Sequence, residues 1–464
     1  MQKHFRRCAR RFRSLHTSRR TRAALGAAIL AGCAIDLRAA NVVSTWLSAT
    51  NGTWSDATKW NPAVVPNNGA DTYSVTIGAT GSPYTVTLNS TIAVNDLSLS
   101  SANATLAFTG TFSVLNSAVN VSAGTFQFNG GIFSGGSITL SGGTIDFAGN
   151  SNNRLANNAT FNGDLILSSN SGRVRLQSGA DFTGNATLSS SNNFLAYEYT
   201  TTVNNKTLNL TGVSPGISIE GTNSLTLGTT GVIHGRGNVG GEVFVGGTST
   251  LINNGLISAD IAGSTLNINP AILTNNGTLQ AVGGGILAVS VGTTWTNNGT
   301  LLVSDATSTF NTNGTWSNAG AIRLTGGTIN FDGTVPLSGL TGNFARTGGT
   351  VNMNGIFNNG SNNFTLTATT GDWILNGGII SGGSINQSGG NLIFSGSSNN
   401  RLTNNATFNG DLNLNSASGR IRLQSGADFT GNATLSSSNN FLAYEYTTTV
   451  NNKTLTLTGS NDGI

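Results

Sequence analysis

Apolar and polar residues alternate in short segments that recur along the middle of the chain. Four of these segments contain Asn-Asn-Gly or Asn-Ala-Gly, with glycines at positions 255, 277, 299 and 320, so successive copies are 22, 22 and 21 residues apart. The positions four before, two after and four after each glycine are apolar in all copies: Leu251, Leu273, Trp295 and Trp316, then Ile257, Leu279, Leu301 and Ile322, then Ala259, Ala281, Val303 and Leu324. This period-two alternation predicts that each segment is a turn followed by a half-buried strand.

The fixed spacing predicts that these strands stack on one another, because one short strand and turn cannot bury its own apolar face. Short strands, Gly/Asn turns and a lack of helical periodicity favour a parallel β-helix in which each turn adds about 4.8 Å along the axis. Asn and Gly tolerate left-handed backbone angles, which suits a corner, and stacked Asn amides can hydrogen-bond between rungs. Disorder is the alternative, but it would not hold apolar residues in register.

A second recurring segment has a glycine followed, at the second and fourth positions, by large apolar residues. Its glycines are at positions 124, 143, 327, 349, 371 and 390. They are 22 residues apart from 327 to 371, and 19 apart from 124 to 143 and from 371 to 390. We therefore expect an all-β fold, a parallel β-helix (β-solenoid) with rungs of about 19–22 residues.

The chain also contains an internal duplication. Residues 151–212 recur at 398–459 with six differences in 62 positions, and the aligned copies extend over 124–217 and 371–464. Ile166 becomes Asn413 between two leucines, so we expect the leucines to face inward and the changing residue outward, because burying Asn there would be strongly destabilising. Val174 becomes Ile421, an apolar exchange. By alternation, the neighbouring arginines should face solvent together: Arg173 and Arg175, and in the second copy Arg420 and Arg422.

The first 40 residues have the features of an export signal. Ten of the 22 Lys and Arg residues precede position 40, an apolar run covers 23–32, and Ala39-Ala40 are small. We predict a cleavable secretory signal over residues 1–40, too short in its apolar part to span a bilayer. Leu30-Ala31-Gly32-Cys33 resembles a lipoprotein signal, so lipidation at Cys33 is an alternative to cleavage near Ala40. Ser18-Arg19-Arg20 resembles part of a twin-arginine signal.

Residues 41–90 differ from the repeats, and three of the six tryptophans lie among them: Trp46, Trp54 and Trp60. Exposed indole rings would suit sugar stacking, but a solenoid needs an atypical first unit to cover its open edge, so we predict an N-terminal Trp-containing cap. We assign residues 91–464 to the β-solenoid. The repeat pattern stops within the second copy, and we expect the chain to be truncated there, with outer-membrane anchoring through a missing C-terminus as one consequence.

The N-terminal segment supports a family resemblance. Gly52-Thr53-Trp54, Lys59-Trp60-Asn61, Pro66-Asn67 and Asp71 are followed by rungs rich in Gly, Asn and Thr. This arrangement resembles bacterial secreted β-helix repeat proteins, such as autotransporter passenger domains of the autotransporter-associated β-strand repeat type. The resemblance implies export and a cell-surface location, and it bears on architecture more than on activity.

Charge and cysteine content narrow the choice of partners. Charged residues make up 9% of the chain, and the part after the signal carries 12 basic and 17 acidic residues, a net charge of −5. This balance implies no nucleic-acid partner, and we predict none. Cys8 and Cys33 both lie in the predicted signal, so stability must come from the stacked core rather than from disulfides.

Candidate chemistry is sparse along the chain. We find no nucleotide, zinc or calcium motif, and we predict no cofactor, metal ion or catalytic residue. His234 and Arg236 lie in a Gly-rich turn, where a corner role is the simpler interpretation. The candidate ligand-binding residues are Arg173, Arg175, Arg420 and Arg422, because two guanidinium groups on one strand can hold a carboxylated sugar or a phosphate. A solvent-facing strand with a local ion pair is the alternative.

The sequence thus predicts a non-enzymatic exported protein, secreted or at the cell surface in association with the outer membrane. We expect a structural stalk or adhesin, with extracellular polysaccharide or other cell-surface molecules as partners. The alternative is a polysaccharide lyase or glycoside hydrolase on the same fold, which needs converging carboxylates, or a basic residue near calcium. The acids of this chain are spread singly along the sequence.

Overall fold

The computed structural model describes residues 40–115 and 118–464. Within these ranges the chain is nearly all β and forms a solenoid of parallel, stacked coils with about 17 turns, which confirms the predicted fold class. The described helical segments are a short 3-10 helix, Ala57–Lys59, and a four-residue α-helix, Ser338–Thr341. The predicted signal before Ala40, including Cys33, lies outside the described residues. No helix of the described part is long and apolar enough to cross a membrane.

Two sheets begin at the N-terminal end of the solenoid. Sheet A contains eight strands, in spatial order Asp181–Phe182, Thr160–Asn162, Ser137–Leu140, Ala118–Val121, Asp96–Leu99, Thr72–Ile77, Asn41–Trp46 and Trp60–Asn61. Sheet B contains five strands: Thr144–Phe147, Thr125–Phe128, Ala104–Phe108, Tyr84–Leu88 and Gly52–Thr53.

Sheet C is the longest, with fifteen strands: Leu392–Phe394, Trp373–Leu375, Thr350–Met353, Thr328–Phe331, Thr309–Asn311, Ile286–Val289, Thr265–Ile268, Gly237–Val239, Gly216–Ile219, Phe194–Tyr197, Arg173–Leu176, Arg154–Ala156, Ile132–Ser134, Thr111–Val114 and Ile92–Val94. Sheet D contains nine: Leu165–Leu167, Ala186–Leu188, Thr207–Leu210, Val232–Gly235, Leu256–Ala259, Thr278–Ala281, Thr300–Val303, Ala321–Leu324 and Phe344–Arg346.

Sheet E contains fourteen strands. Twelve follow one path: Thr201–Val203, Ser224–Leu227, Thr250–Asn253, Ile272–Asn275, Thr294–Asn297, Thr315–Asn318, Thr334–Pro336, Ile356–Thr367, Ile379–Ser388, Arg401–Thr403, Arg420–Leu423 and Phe441–Tyr444. Thr407–Asn409 and Asp428–Phe429 lie off that path. Sheet F contains three strands: Leu412–Leu414, Ala433–Leu435 and Leu455–Leu457.

Three strands make up most rungs. From Ile92 to Arg346 the chain visits sheet C, then sheet A or E, and then sheet B or D in each rung, whereas from Arg401 to Leu435 it visits sheet E twice and then sheet F. Between 356 and 388 the strands Ile356–Thr367 and Ile379–Ser388 instead run through a corner, with register shifts along their pairing. Rung length varies more than predicted: it is 19 residues between Phe310 and Ile329 but 29 between Asn238 and Asn267, because a loop is inserted after residue 239.

The core is a set of inward-facing columns that match the predicted alternation. Leu251, Leu273, Trp295 and Trp316 are paired in register from rung to rung and are buried. The two indole rings stack with centroids 4.7 Å apart and planes 8° apart. In the duplicated segment Ile166 is half exposed between buried leucines, which confirms its predicted outward orientation.

Asparagine ladders connect the corners, as predicted. The buried Asn253 Nδ2 donates to Asn275 Oδ1 over 2.7 Å, Asn275 Nδ2 to Asn297 Oδ1 over 2.6 Å, and Asn297 Nδ2 to Asn318 Oδ1 over 2.6 Å. The left-handed angle predicted at these corners is wrong, because none of the four glycines has a positive φ. Glycine is needed at Gly277 for close packing, since a Cβ there would lie 2.2 Å from the Gly255 carbonyl oxygen.

The three N-terminal tryptophans lie inside the protein. Trp54 Nε1 donates to the Pro66 carbonyl over 2.9 Å, and Trp60 Nε1 donates to the Trp54 carbonyl over 2.8 Å. Trp46 packs edge-on against Trp60 with centroids 5.0 Å apart. Their rings are therefore unavailable for sugar stacking, the alternative to the cap. The predicted domain boundary at residue 90 stays a prediction.

Candidate functional site

The first pair of candidate arginines lies on the strand Arg173–Leu176 of sheet C. Val174, between the arginines, is fully buried, so both arginines leave the strand on its outer side. The prediction that they face solvent together is nevertheless wrong for Arg175, whose side chain is 9% exposed. Two features, an ion pair and an overlying loop, remove it from solvent.

The ion pair joins neighbouring rungs. Arg175 Nε donates to Glu198 Oε1, and Gln177 Nε2 donates to the other carboxylate oxygen of Glu198. Arg175 Nη1 also donates to the Ser151 carbonyl over 3.2 Å. Arg154 lies beside Arg175 in register on the adjacent strand, and burial together with the Arg175 charge lowers the pKa of Arg154. The first arginine surface, formed by Arg154, Arg173 and Arg175, is therefore a basic cluster with one internal counter-charge, Glu198.

The overlying loop, residues 240–249, is fastened by a buried carboxylate. Glu220 accepts backbone hydrogen bonds from Val243, from Phe244 over 2.8 Å and from Val245 over 2.6 Å. This places the Phe244 ring centre 5.0 Å from Cζ of Arg175 and 5.8 Å from Cζ of Arg173, a cation–π arrangement. The loop thus covers the first arginine surface.

Sequence reasoning missed this loop because it lies about three rungs beyond the arginines along the chain. A signal was present: the 29-residue rung between Asn238 and Asn267 is longer than its neighbours. Extra residues in a solenoid rung form loops on one face. Which face the loop covers depends on stacking across several rungs, and the local pattern does not contain that information.

The second pair, Arg420 and Arg422, repeats the ion pair without the cover. Arg422 Nε and Gln424 Nε2 both donate to Glu445, and these hydrogen bonds lower the pKa of the Glu445 carboxyl. The Arg422 side chain is 32% exposed. Arg420 Cζ lies 5.1 Å from the ring centre of Phe441, which is 41% exposed. These side chains border an open cavity of about 200 Å³, lined by Ser398, Arg420, Ile421, Arg422, Phe441 and Ala443.

The two arginine surfaces lie on different sheets. The strand Arg173–Leu176 belongs to sheet C, whereas its copy Arg420–Leu423 belongs to sheet E. The duplicated sequence has therefore been placed on another side of the solenoid, and the four arginines do not form one continuous face.

His234 and Arg236 are held by separate partners. His234 Nδ1 lies 2.9 Å from Asp260 Oδ2, and His234 Nε2 lies 2.5 Å from Asn209 Oδ1. Arg236 donates from Nε to the Gly212 carbonyl over 2.6 Å and from Nη2 to the Thr211 carbonyl over 3.1 Å. Arg236 borders a groove of about 330 Å³, but its guanidinium is engaged with the backbone of the preceding rung. These contacts favour the corner interpretation of the His-Arg segment.

Another repeated ion pair was not predicted. Lys206 Nζ donates to Asp181 over 2.6 Å and lies 4.5 Å from the ring centre of Phe182. Lys453 and Asp428 repeat this contact in the second copy at 2.5 Å. Each pair connects one rung to the next, so these charges contribute to stacking. Sequence spacing alone did not reveal them because the partners are 25 residues apart.

The described residues contain no group of three or more His, Cys, Asp or Glu side chains that could hold a metal ion. Comparison of the chain with protein-family models, with curated proteins and with solved structures finds no match. The geometry therefore defines a β-solenoid repeat protein with two non-equivalent arginine surfaces.

Proposed function

We propose that this protein is an exported, non-enzymatic β-solenoid that acts as a structural stalk or adhesin at the cell surface or in the extracellular matrix. About 17 stacked turns, at about 4.8 Å per turn, give a rod on the order of 80 Å long. Such a rod presents side chains at fixed intervals over a long distance. The outward positions are mostly Ser, Thr and Asn.

The observation that carries this proposal is the use of charged side chains within the solenoid. The pairs Arg175–Glu198, Lys206–Asp181 and His234–Asp260 each connect different rungs. Arg422–Glu445 and Lys453–Asp428 do the same in the second copy. Hydrolases and lyases instead converge their acids and bases on one groove. Charged side chains that pair between rungs stabilise the stack, which favours a mechanical role over a catalytic one.

Secretion and the family resemblance belong to the same proposal. The Trp-containing N-terminal segment resembles the start of autotransporter passenger domains, and the basic and apolar segments of residues 1–40 have the features of a secretory signal. We propose secretion through the predicted signal, outer-membrane association through lipidation at Cys33, and extracellular polysaccharide or another cell-surface molecule as partner.

The experiment compares the two function classes on the purified full chain. Acidic and neutral polysaccharides are incubated with the protein, and the release of reducing or unsaturated ends is measured. We expect no release, and we expect electron microscopy to show rods on the order of 80 Å. Release of new ends that scales with protein concentration would overturn the structural proposal. Protease treatment of intact producing cells tests location, since a surface protein is cleaved or shed and an internal one is untouched.

A further inference from the structure

The internal duplication provides one covered and one uncovered version of the same surface. In the first copy the loop of residues 240–249 places Phe244 against Arg173 and Arg175. In the second copy, Arg420, Arg422 and Phe441 border an open cavity of about 200 Å³. The sequences of the two arginine strands differ only by Val174 in place of Ile421. The difference in accessibility therefore comes from the surroundings, not from the arginines.

The uncovered surface has unused binding capacity. Arg401 lies in register beside Arg422 on the adjacent strand, so with Arg420 the surface contains three guanidinium groups and one carboxylate, Glu445, which pairs with Arg422. Subtracting that carboxylate leaves two positive charges in excess. Arg401 Nε and Arg420 Nε are buried atoms without a hydrogen-bond partner, as is Arg173 Nε beneath Phe244 in the first copy, so what distinguishes the second copy is access to these donors. Buried, unpartnered donors on a cationic surface favour an anionic ligand, because pairing them recovers their desolvation cost.

We propose that the second arginine surface, formed by Arg401, Arg420, Arg422 and Phe441, binds a sugar that carries an anionic group, and that the first surface does not. A guanidinium group donates two parallel hydrogen bonds to a carboxylate or a sulfate. The exposed Phe441 ring offers an apolar face to the C–H side of the sugar ring. In the first copy Phe244 already occupies the space above the arginines, which excludes the ligand.

This inference rests on the proposed cell-surface function in one respect only, because that function determines where the sugar would come from. A failure to bind would leave the rod and its lack of cleavage activity unaffected, whereas cleavage of polysaccharide would contradict the structural role without bearing on this surface. The two proposals therefore fail in different measurements.

The test is a calorimetric titration of the full chain with three probes: an oligogalacturonate, a sulfated dextran oligosaccharide and a neutral dextran oligosaccharide. We expect one site per chain for at least one anionic probe and none for the neutral probe. Comparison of the two anionic probes identifies whether the surface prefers carboxylate or sulfate. Arg420→Gln should weaken binding about tenfold or more, because it removes a charge-assisted hydrogen bond.

The first copy provides the matched control. Arg173→Gln makes the same chemical change in the covered surface and should leave affinity and stoichiometry unchanged. Phe244→Ala uncovers the first surface and should raise the stoichiometry from one site to two. Circular dichroism checks that each variant is folded. The proposal is overturned if neither anionic probe binds, if the neutral probe binds equally well, or if Arg173→Gln and Arg420→Gln weaken binding to the same extent.

Discussion

At the residue scale, adjacent asparagines in one corner have very different environments. Asn275 is fully buried, donates to Asn297 Oδ1 over 2.6 Å and accepts from Asn253 Nδ2 over 2.7 Å. The next residue, Asn276, is exposed and joins a parallel outer ladder, donating to Asn254 Oδ1 over 2.9 Å. Both side chains make the same kind of contact, so burial alone separates their contributions to stability.

We predict that Asn275→Ala destabilises the local stack by about 1–3 kcal/mol, because it leaves Asn297 Oδ1 buried without its ladder donor. Asn276→Ala, the matched control, should change stability by less than about 0.5 kcal/mol, because water replaces its partners. Native-state hydrogen exchange of the neighbouring rungs is the appropriate measurement, since a long repeat array need not unfold in one step. Equal effects of the two substitutions would contradict the importance of burial.

Two tyrosines at equivalent positions give a second residue-scale prediction. The Tyr444 hydroxyl is buried without a hydrogen-bond partner, and burial, reinforced by the charge of Asp428, raises its pKa to about 12. Tyr197 in the first copy is also buried, and its pKa is raised well above the usual value. Because an unfolded tyrosine ionises near pH 10, the unfolded state holds fewer protons than the folded state above that pH.

We therefore predict that stability is unaffected by Tyr444 below about pH 10 and falls as pH rises from about 10 to about 12. Ultraviolet titration of the phenolate, together with circular dichroism, follows ionisation and structure in the same sample. Tyr444→Phe should reduce the loss of stability in that window. A Tyr444 that ionises near its usual pKa, with no structural change, would show that its hydroxyl is solvated.

At the element scale, the loop of residues 240–249 depends on one carboxylate. Glu220 accepts the backbone N–H groups of Val243, Phe244 and Val245, whereas Glu242 accepts one, from Ser249 over 2.7 Å. Glu220→Gln replaces one acceptor oxygen with a donor and should release the loop. We predict faster hydrogen exchange of the Val243–Val245 amides and greater reaction of Arg173 with an arginine-modifying reagent.

Glu242→Gln is the control for this prediction, because it makes the same chemical change at a carboxylate that lies in the loop itself and does not accept the Val243–Val245 amides. It should change the reactivity of Arg173 much less. Arg420, which has no covering loop in the second copy, should react readily in all variants. If Glu220→Gln left Arg173 protected, the cover would depend on the Phe244 ring contacts rather than on the carboxylate.

The loop also marks the limit of what the sequence predicted. The side of the strand on which Val174 and Ile166 lie follows from alternation, which is a local property, and both orientations were predicted correctly. The burial of Arg175 depends on Phe244, whose contact with it is decided by the stacking of three rungs. A pattern that repeats every rung carries no information about which neighbouring rung has an insertion.

At the scale of the whole molecule, the solenoid is a sum of interchangeable rungs. The residues Ile272–Asn275 pair in register with Thr294–Asn297, and Thr278–Ala281 pair with Thr300–Val303, both with an offset of 22. Removing residues 272–293 deletes one strand each from sheets E, D and C. In the shortened chain Leu251 would pair with Trp295, and Asn253 with Asn297. Apolar residues would still pair with apolar residues, and asparagine with asparagine.

We predict that this 22-residue deletion folds and shortens the rod by about 4.8 Å, because nearest-neighbour contacts are replaced by equivalent ones. Deleting residues 272–282 instead removes strands from sheets E and D but leaves Ile286–Val289 of sheet C, so the columns no longer match. That variant should lose cooperative thermal unfolding and become protease-sensitive. Small-angle scattering and thermal melts compare the two. If the half-rung deletion were tolerated as well as the full one, stability would come from the backbone ladder alone and the side-chain columns would contribute little.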